Sequence, residues 1–319
     1  MSLTINHQLN DIINATGTIT INGVAAGGDN SPVWYGSRGL FGGGYSAISD
    51  VLDYVTIAST GNATDFGNLT VARGWVASCS SNSRGLFAGG YTSGGTNANQ
   101  DVIDYITIAS TGNATDFGNL SAGTQSVFAC SDGTKGVFAG GYTDSGQINV
   151  IQYVTVASTG NTTDFGDLTA ARNGGAACSD GTKGLFGGGF IPGSGVTNVI
   201  DYVTIATTGN ATDFGDLTVA RNYVAATSNQ TRGVFGGTAS NDVIDYVTIA
   251  TPGNAVDFGN LTVARGDMAA CSDGTKALFG GGQSSSNVID YVTIANTGNA
   301  TDFGNLTVGR GNLGACSGD

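Results

Sequence analysis

The chain has 319 residues, a formal net charge of −13 at neutral pH and 40% apolar residues. This apolar fraction, together with 54 glycines, is typical of a folded, turn-rich protein and argues against a disordered chain. All 24 acidic residues are aspartates and only 11 residues are Lys or Arg, whereas Val, Ile, Thr, Tyr and Phe are frequent. The composition therefore favours strands over helices.

The charge and the hydropathy pattern exclude several classes of partner. A strongly acidic chain is a poor match for a nucleic-acid backbone or an anionic membrane surface. No apolar run approaches the roughly 18–20 residues of a membrane-spanning helix, so we expect no membrane insertion. The first residues, MSLTINHQLND, have neither a basic region nor an apolar stretch, so we expect no secretory signal. These features predict a protein that acts in the cytosol or leaves the cell without a signal peptide, for example inside a virus particle.

Residues 1–30 differ in pattern from the rest of the chain. The stretch LTINHQLNDIINATGTITING alternates apolar and polar residues in two short runs, and the Gly-rich GVAAGGDN follows it. So short a segment buries little apolar surface of its own. We interpret it as an N-terminal β arm that docks on another copy of the chain or on another protein, for instance as an added strand. The alternative is an arm that folds back on its own chain.

Residues 31–319 repeat one pattern six times. Each copy contains a Phe before a glycine run, the Tyr of IDYVTIA and the Phe of DFG. The step from this Tyr to the DFG Phe is always 12 residues, as from Tyr54 to Phe66, and the next glycine-run Phe follows 21 residues later, as at Phe87. All length variation lies between the glycine run and the Tyr. This spacing indicates a repeated scaffold that carries one individual loop in each copy.

Each copy is predicted to form four short strands, AACS, GLFGGG, VIDYVTIA and DFGNLTVA, separated by Gly, Asn, Asp and Ser turns. Four-stranded units with a period of 44–51 residues are blades of a β-propeller. The last segment matches only a first strand, and the strand Arg38–Gly44 lacks a first strand before it. The sequence therefore predicts an all-β, six-bladed propeller, closed when a strand around Asn312–Ser317 pairs with the first blade.

Two charged positions of the repeat vary together. In five copies the last segment, LTVAR or a close variant, ends in Arg, but the second copy has Thr124 at this position. Five copies have Asp before the Tyr, but the third copy has Gln152. Because the Arg leads into the next blade, the two exceptions would face each other, and we predict five buried Arg–Asp pairs. The predicted pairs are Arg73–Asp104, Arg172–Asp201, Arg221–Asp245, Arg265–Asp290 and Arg310–Asp53.

The inventory of reactive residues does not predict an enzyme. Cys79, Cys130, Cys178, Cys271 and Cys316 occupy the same position in five copies, and Thr227 fills that position in the remaining copy. Their odd number and the absence of a CxxC pair argue for packing residues, not for disulfides or a metal site. The only histidine is His7, and DFG occurs six times without the other kinase motifs. We expect no catalytic activity, no metal and no cofactor, although the sequence leaves a paired-aspartate glycosidase open.

The variable loops carry the candidate binding residues. In a four-stranded blade, the loop between the second and third strands lies on the same face as the crossing to the next blade. Aromatic residues occur at both places among Asn, Ser, Thr and Gly, a composition suited to sugar stacking or to an adaptable protein contact. We predict that they form a ligand-binding site; the alternative is that they only cover blade edges. The six residues are Tyr45, Trp75, Tyr91, Tyr142, Phe190 and Tyr223.

Two resemblances follow from these motifs. The Gly-Gly pair that ends the second strand and the aromatic residue on the third, as in FGGGY and LDYVT, resemble kelch-repeat propellers over residues 31–319. The kelch pattern has a Trp a few residues after the Tyr, whereas here a Phe follows 12 residues later. The wording TIATTGNATDFGDLTVAR, with the leader LTINHQLNDI, is similar to repeat proteins of marine tailed phages, especially cyanophages. That resemblance implies a virion location.

Three functional hypotheses remain at this point. The first is a virion protein, held to other virion proteins by its N-terminal arm, that binds a host-surface glycan or protein through the variable face. The second is a purely structural virion component, such as a capsid decoration or tail spacer. The third is a cytosolic, kelch-like interaction scaffold. Aromatic residues around an open pocket would favour the first hypothesis, and variable loops buried against other subunits would favour the second.

Overall fold

The computed structural model describes residues 20–21, 24–25, 36–45, 48–94, 98–238 and 240–319. The chain divides into two compact units, Met1–Ser31 and Pro32–Asp319. Within the first unit, the strands Thr20–Ile21 and Val24–Ala25 pair in antiparallel fashion. The rest of the predicted N-terminal arm lies outside the described residues.

The described part of the second unit forms six four-stranded antiparallel sheets, which are the blades. In each blade we name the strands inner, second, third and outer, in their order across the sheet. Blade 1 contains Gly314–Gly318, Arg38–Gly42, Val51–Thr56 and Thr64–Asn68; blade 2 contains Ala77–Ser80, Arg84–Ala88, Val102–Thr107 and Thr115–Asn119; blade 3 contains Phe128–Ser131, Lys135–Ala139, Val150–Thr155 and Thr163–Asp167. Blade 4 contains Ala176–Ser179, Lys183–Gly187, Val199–Thr204 and Thr212–Asp216; blade 5 contains Ala225–Ser228, Arg232–Thr238, Asn241–Thr248 and Val256–Asn260; blade 6 contains Ala269–Ser272, Lys276–Gly280, Val288–Thr293 and Thr301–Asn305.

The ring is closed by the C-terminal strand, as the sequence predicted. Gly314–Gly318 pairs with Arg38–Gly42, with Ala315 opposite Phe41. Around the axis, each inner strand contacts the inner strands of the two neighbouring blades, and the sixth contacts the first. The chain is therefore a six-bladed β-propeller. The part that the structure describes contains no helix able to span a membrane.

The third and outer strands are shorter than the sequence motifs suggested. The third strand was expected to include the final Ile-Ala of VIDYVTIA, but in blade 2 it ends at Thr107. The outer strand was expected to run through DFGNLTVA, but it covers Thr115–Asn119. The reason is that Leu120 leaves the sheet, donates its N–H to Asp101 O at 2.7 Å and is buried in the core.

The hydrophobic core lies between adjacent blades. Phe87 of blade 2 is fully buried and packs with Leu52 and Phe66 of blade 1. Phe66 also meets Tyr54 edge-on, with the ring centroids 5.9 Å apart, and five other blades repeat this arrangement at 5.8–6.1 Å. Because each core cluster joins two blades, no blade can bury its apolar surface without a neighbour.

All five predicted Arg–Asp pairs are present, with N–O distances of 2.7–2.9 Å and side chains at most 4% exposed. The aspartate also accepts bonds from the Thr of the incoming LTVAR segment; Asp104, for example, accepts from Thr70 N and Oγ1. Where Gln152 replaces the aspartate, its Oε1 accepts from Ser121 N at 2.9 Å. Thr124 turns its hydroxyl to Ala122 O, so this site holds no buried guanidinium that would need a carboxylate.

The remaining Lys and Arg side chains tie neighbouring blades together. Each stands at the start of a second strand and donates to main-chain carbonyls just after the third strand of the next blade. Lys135 Nζ, for example, donates to Ile205 O at 3.1 Å and to Ala206 O at 2.8 Å. The six residues are Arg38, Arg84, Lys135, Lys183, Arg232 and Lys276. Together with the five paired arginines, they account for all 11 cationic side chains of the chain.

In each blade the turn between the third and outer strands, with the sequence GNAT in most copies, bonds to the outer strand of the preceding blade, an arrangement we call the clasp. Gly112 N donates to Phe66 O at 2.8 Å, and Asn113 Oδ1 accepts from Asn68 N at 3.1 Å. Gly67 must be glycine because a Cβ there would collide with the Gly112 carbonyl. The clasp occupies main-chain groups that an exposed edge strand would otherwise offer to other chains. It gives these asparagines a structural role.

The cysteines are buried and free, and each is complementary to a glycine of the next blade. The Cys79 Sγ would lie 2.9 Å from a Cβ placed on Gly136, and the other four cysteines meet Gly184, Gly233, Gly39 and Gly85 at 2.7–2.8 Å. Where Thr227 replaces cysteine, the next blade has the fully buried Ala277 in place of the glycine. The exception to cysteine thus coincides with the exception to glycine in the facing blade.

Candidate ligand-binding site

The variable loops and the blade crossings meet on one face of the propeller, which we call the variable face. Residues at the start of a loop form antiparallel bridges with the crossing that enters the same blade. The bridges join Tyr45 to Gly311, Tyr91 to Gly74, Tyr142 to Gln125 and Phe190 to Asn173. In blades 3 and 4 the loop itself is a short hairpin, Tyr142–Thr143 with Gly146–Gln147 and Phe190–Ile191 with Gly195–Val196. The aromatic loop residues are therefore held by main-chain pairing.

A closed ring of main-chain hydrogen bonds surrounds the propeller axis on the variable face. One residue of each crossing donates its N–H to the carbonyl of the equivalent residue in the preceding crossing, over 2.5–3.3 Å. All six residues have left-handed backbones, with φ of 54–60° at the non-glycine positions and 68° at Gly174. In order of donation they are Trp75, Asn312, Asp267, Tyr223, Gly174 and Ser126, which returns to Trp75.

This ring fixes two of the predicted site residues. A left-handed backbone costs roughly 1–2 kcal/mol at a non-glycine residue, so it persists only where surrounding bonds impose it. At Trp75 and Tyr223 the ring supplies those bonds. Gly174 has no side chain to obstruct the Tyr223 ring, whose Cε1 would lie 3.3 Å from a Cβ at that position. Both aromatic side chains therefore start from a rigid, shared support.

The six predicted residues line one cavity of about 640 Å³ on this face, which we call the aromatic basin. Its volume falls within the roughly 300–1,000 Å³ typical of small-molecule sites. The basin is also lined by five polar residues that the sequence-based prediction did not include: Gln125, Ser126, Gln147, Asn173 and Asn222. The aromatic residues come mainly from the loops and the polar ones mainly from the crossings, and from Tyr91 onward the two kinds alternate in chain order.

Three of the aromatic rings form a contiguous group. The ring centroids of Tyr45 and Trp75 are 4.2 Å apart at an angle of 43°. Those of Trp75 and Tyr91 are 5.7 Å apart and nearly perpendicular. Tyr45 is 40% exposed, and Tyr142 and Phe190 further along the wall are each 36% exposed. These rings thus present accessible apolar surface within a polar surround.

The polar side chains of the basin are largely available to a ligand. Gln147 Nε2 donates weakly to Asn173 Oδ1 at 3.4 Å. The side chains of Gln125, Ser126 and Asn222 make no hydrogen bond to another described residue. An open, hydrated amide or hydroxyl on a fixed main chain can donate or accept without first breaking a protein contact.

The basin is lined by uncharged residues only. Asp267, on the ring of hydrogen bonds, lies outside this lining, and burial raises the pKa of its carboxyl to about 6. Burial, and secondarily the charge of Asp267, raises the pKa of Tyr223 as well. Both shifts disfavour negative charge at the mouth of the axial channel. Since all 11 cationic side chains are engaged within the blades, the basin has no cationic partner for an anionic group.

A narrow channel of about 180 Å³ runs along the axis beneath the ring, lined by the inner strands. Its walls are closed by serine hydroxyls that donate to the serine carbonyl of the preceding blade. Ser80 Oγ, for example, donates to Ser317 O at 2.7 Å, and Ser317 Oγ to Ser272 O at 2.6 Å. The hydroxyls are therefore engaged in structural bonds, and the wider basin is the better ligand site.

Reactive groups do not gather in the described part of the chain. Burial raises the pKa of all five cysteine thiols, which keeps them protonated and poorly nucleophilic. No three His, Cys, Asp or Glu side chains within the described ranges are arranged to hold a metal ion. His7 lies outside the described residues.

The polar residues of the basin could have been found from the sequence. The crossings TQSVF, RNGGA and RNYVA differ from one another, and each places an amide just before the residue of the hydrogen-bonded ring. What the sequence did not show is that ring itself, which arises only when six crossings meet around the axis.

Comparison with known proteins adds no further constraint. No protein-family model matches the chain, and no curated protein is significantly similar to it. The propeller and its aromatic basin are therefore the features from which a function is inferred.

Proposed function

We propose that this protein is a non-enzymatic, receptor-binding component of a tailed-phage virion, built on a kelch-like propeller. In this proposal the aromatic basin binds a host-surface glycan or protein. The N-terminal arm holds the chain to other virion proteins, or to further copies of the chain, and the protein acts in the released particle.

One observation carries the proposal: aromatic residues from four loops and two crossings converge on a single basin. In the repeats themselves, Tyr and Phe are buried between blades to stabilise the ring. The aromatic residues of the basin lie on the variable face and not between two blades. Three of them, Tyr45, Tyr142 and Phe190, are more than one-third exposed. Exposed aromatic groups with nearby amides are the chemistry of recognition.

The use of charged and nucleophilic residues supports a binding role over a catalytic one. Five arginines are buried with aspartates, the other three donate to main-chain carbonyls, and the thiols are buried and free. The aromatic basin is lined without a carboxylate, an imidazole or a thiol. General acid–base or nucleophilic chemistry needs such groups within reach of a substrate.

The test is binding of the full-length, labelled protein to cell envelopes from a panel of candidate host bacteria. The comparison variant carries Tyr91→Ala, Tyr142→Ala and Tyr223→Ala. The matched control carries Val71→Ala, Val263→Ala and Val308→Ala, three valines that are 37–60% exposed and lie outside the basin lining.

We expect strain-selective binding that the aromatic variant loses and the valine control keeps. Equal binding by both variants would place the receptor site elsewhere. A folded protein that binds no envelope at all would contradict the receptor function and favour a structural role in the virion.

A further inference from the structure

We infer that the ligand of the aromatic basin is an uncharged saccharide chain, bound along an arc from blade 1 to the entry of blade 5. This inference rests on the proposed receptor function and specifies the chemistry of its ligand. Anionic polysaccharides and protein epitopes are the competing ligands that the experiment below distinguishes.

The shape of the basin favours an extended ligand. Its lining follows the chain order from Tyr45 in the first loop to Tyr223 at the crossing into blade 5. The remaining sector of the variable face, formed by blades 5 and 6, has Thr238 and Gln283 at the positions that are aromatic in the other loops. The aromatic surface is therefore an arc around part of the axis and not a complete circle.

The order of side chains along this arc matches the two surfaces of a sugar. A sugar ring has an apolar C–H face, which packs on aromatic rings, and hydroxyl groups at its edge, which bond to amides and hydroxyls. In the structure, Gln125 and Ser126 lie between Tyr91 and Tyr142 in chain order, and Asn173 lies between Tyr142 and Phe190. From Tyr91 onward, aromatic and polar residues thus alternate in chain order, a pattern that suits a chain of repeating sugar units.

Electrostatics disfavour an anionic chain. Recognition of carboxylate, sulfate or phosphate groups relies on Arg, Lys or free main-chain donors. Here the guanidinium and ammonium groups are held in pairs with buried aspartates or in bonds to carbonyls of the next blade. Lys276, for example, donates to Ile57 O and Ala58 O. With a net charge of −13, the protein also repels polyanions before contact.

The aromatic group is not a cage for a cation either. A cation–π cage needs rings that stand apart and face a common space, with the cation within about 6 Å of each ring. Tyr45 and Trp75 are instead in direct contact, with centroids 4.2 Å apart, and Tyr91 meets Trp75 edge-on. This arrangement leaves faces for stacking a flat surface and no enclosed volume between the rings.

The rigidity of the basin favours a saccharide over a protein. Main-chain bridges hold Tyr91, Tyr142 and Phe190 against the crossings, and the ring of hydrogen bonds holds Trp75 and Tyr223. A preformed site avoids the cost of ordering its own residues, which a weakly binding neutral ligand could not offset.

The experiment uses polysaccharide extracted from a strain whose envelope the protein binds. Anion-exchange chromatography separates it into an unretained neutral fraction and a retained acidic fraction. Binding of the full-length protein to each fraction is measured by biolayer interferometry, before and after periodate oxidation of the sugars. Protease-treated envelopes are measured in parallel.

We expect binding to the neutral fraction that periodate abolishes and protease does not. Tyr142→Ala and Phe190→Ala should each weaken it by about tenfold or more, as truncation of a central contact does. Val263→Ala, whose side chain is 60% exposed and outside the basin lining, should leave the affinity unchanged. A gain of affinity for the acidic fraction in Asn222→Lys would further support the assignment.

The other outcomes separate the inference from the proposed function. Binding confined to the acidic fraction, or binding that protease removes and periodate spares, would overturn the saccharide assignment while keeping the receptor function. Absence of binding to every envelope of the panel would overturn both.

Discussion

Removal of one member of a buried Arg–Asp pair should be far more damaging than removal of both. In the pair of Arg172 and Asp201, Nη1 lies 2.9 Å from Oδ2 and both side chains are fully buried. Arg172→Thr leaves Asp201 charged in the interior, still accepting from Thr169. Arg172→Thr with Asp201→Gln reproduces the combination that the chain already contains as Thr124 and Gln152.

The structure sets the expected magnitudes. An uncompensated buried charge costs about 3–5 kcal/mol of unfolding free energy, and this is the expected loss in Arg172→Thr. In the double variant the glutamine oxygen can accept from the main-chain N–H of Thr169, as Gln152 Oε1 accepts from Ser121 N at 2.9 Å. The remaining costs are a lost bond from the guanidinium to Phe186 O, now 2.9 Å, and the vacated volume. We therefore expect a favourable coupling energy of about 2–3 kcal/mol between the two substitutions.

Urea unfolding of the wild type, the two single variants and the double variant measures this coupling directly. Asp201→Gln is the second single variant that the cycle requires. It leaves the guanidinium of Arg172 without its carboxylate and should also lower the stability. Additive losses, or a double variant no more stable than Arg172→Thr, would refute the view that the Thr124 and Gln152 exceptions compensate each other.

Three further predictions concern packing and titration. Gly136→Ala brings a Cβ within 2.9 Å of the Cys79 sulfur and should cost about 1–3 kcal/mol of unfolding free energy. Adding Cys79→Thr reproduces the combination of Thr227 and Ala277 and should recover part of this loss in a denaturation cycle. Burial raises the pKa of Asp267 to about 6, so the folded state binds this proton more tightly and loses stability as the pH rises from about 4 through 6. Asp267→Asn should accordingly raise the thermal midpoint at pH 8 and change it little at pH 4, and equal effects at both pH values would contradict the assignment. The five buried thiols should not react with a thiol reagent such as dithionitrobenzoate in the folded protein but should all react in denaturant, and rapid modification of native protein would contradict their packing role.

Much of the fold is readable from the sequence because the repeat spacing is a local property. The constant 12-residue step from Tyr54 to Phe66 reports one hairpin of one blade, and its recurrence reports the number of blades. The closing strand was predictable because the last segment repeats a first strand without a blade after it. The Arg–Asp pairs were predictable because two exceptions, Thr124 and Gln152, marked positions that meet.

Contacts between blades are harder to predict, because no short-range pattern shows which neighbour a residue meets. The clasp between Asn113 and the outer strand of the preceding blade looks in sequence like an ordinary turn. The left-handed backbone of Trp75 has no local signal, since a tryptophan alone would not favour it. The crossing at Asn222 varies visibly between copies, but only the closed ring places its amide in the basin beside Tyr223.

The role of the basin as a ligand site can be tested through its own tryptophan. The chain contains two tryptophans, Trp34 and Trp75, so Trp34→Phe leaves Trp75 as the single reporter. Fluorescence of this variant is followed while neutral polysaccharide from a bound strain is added, with Trp75→Phe as the matched control. We predict a saturable change in emission from Trp75. Unchanged Trp75 emission, at concentrations where co-sedimentation shows the protein bound, would contradict the assignment of the aromatic basin as the binding site.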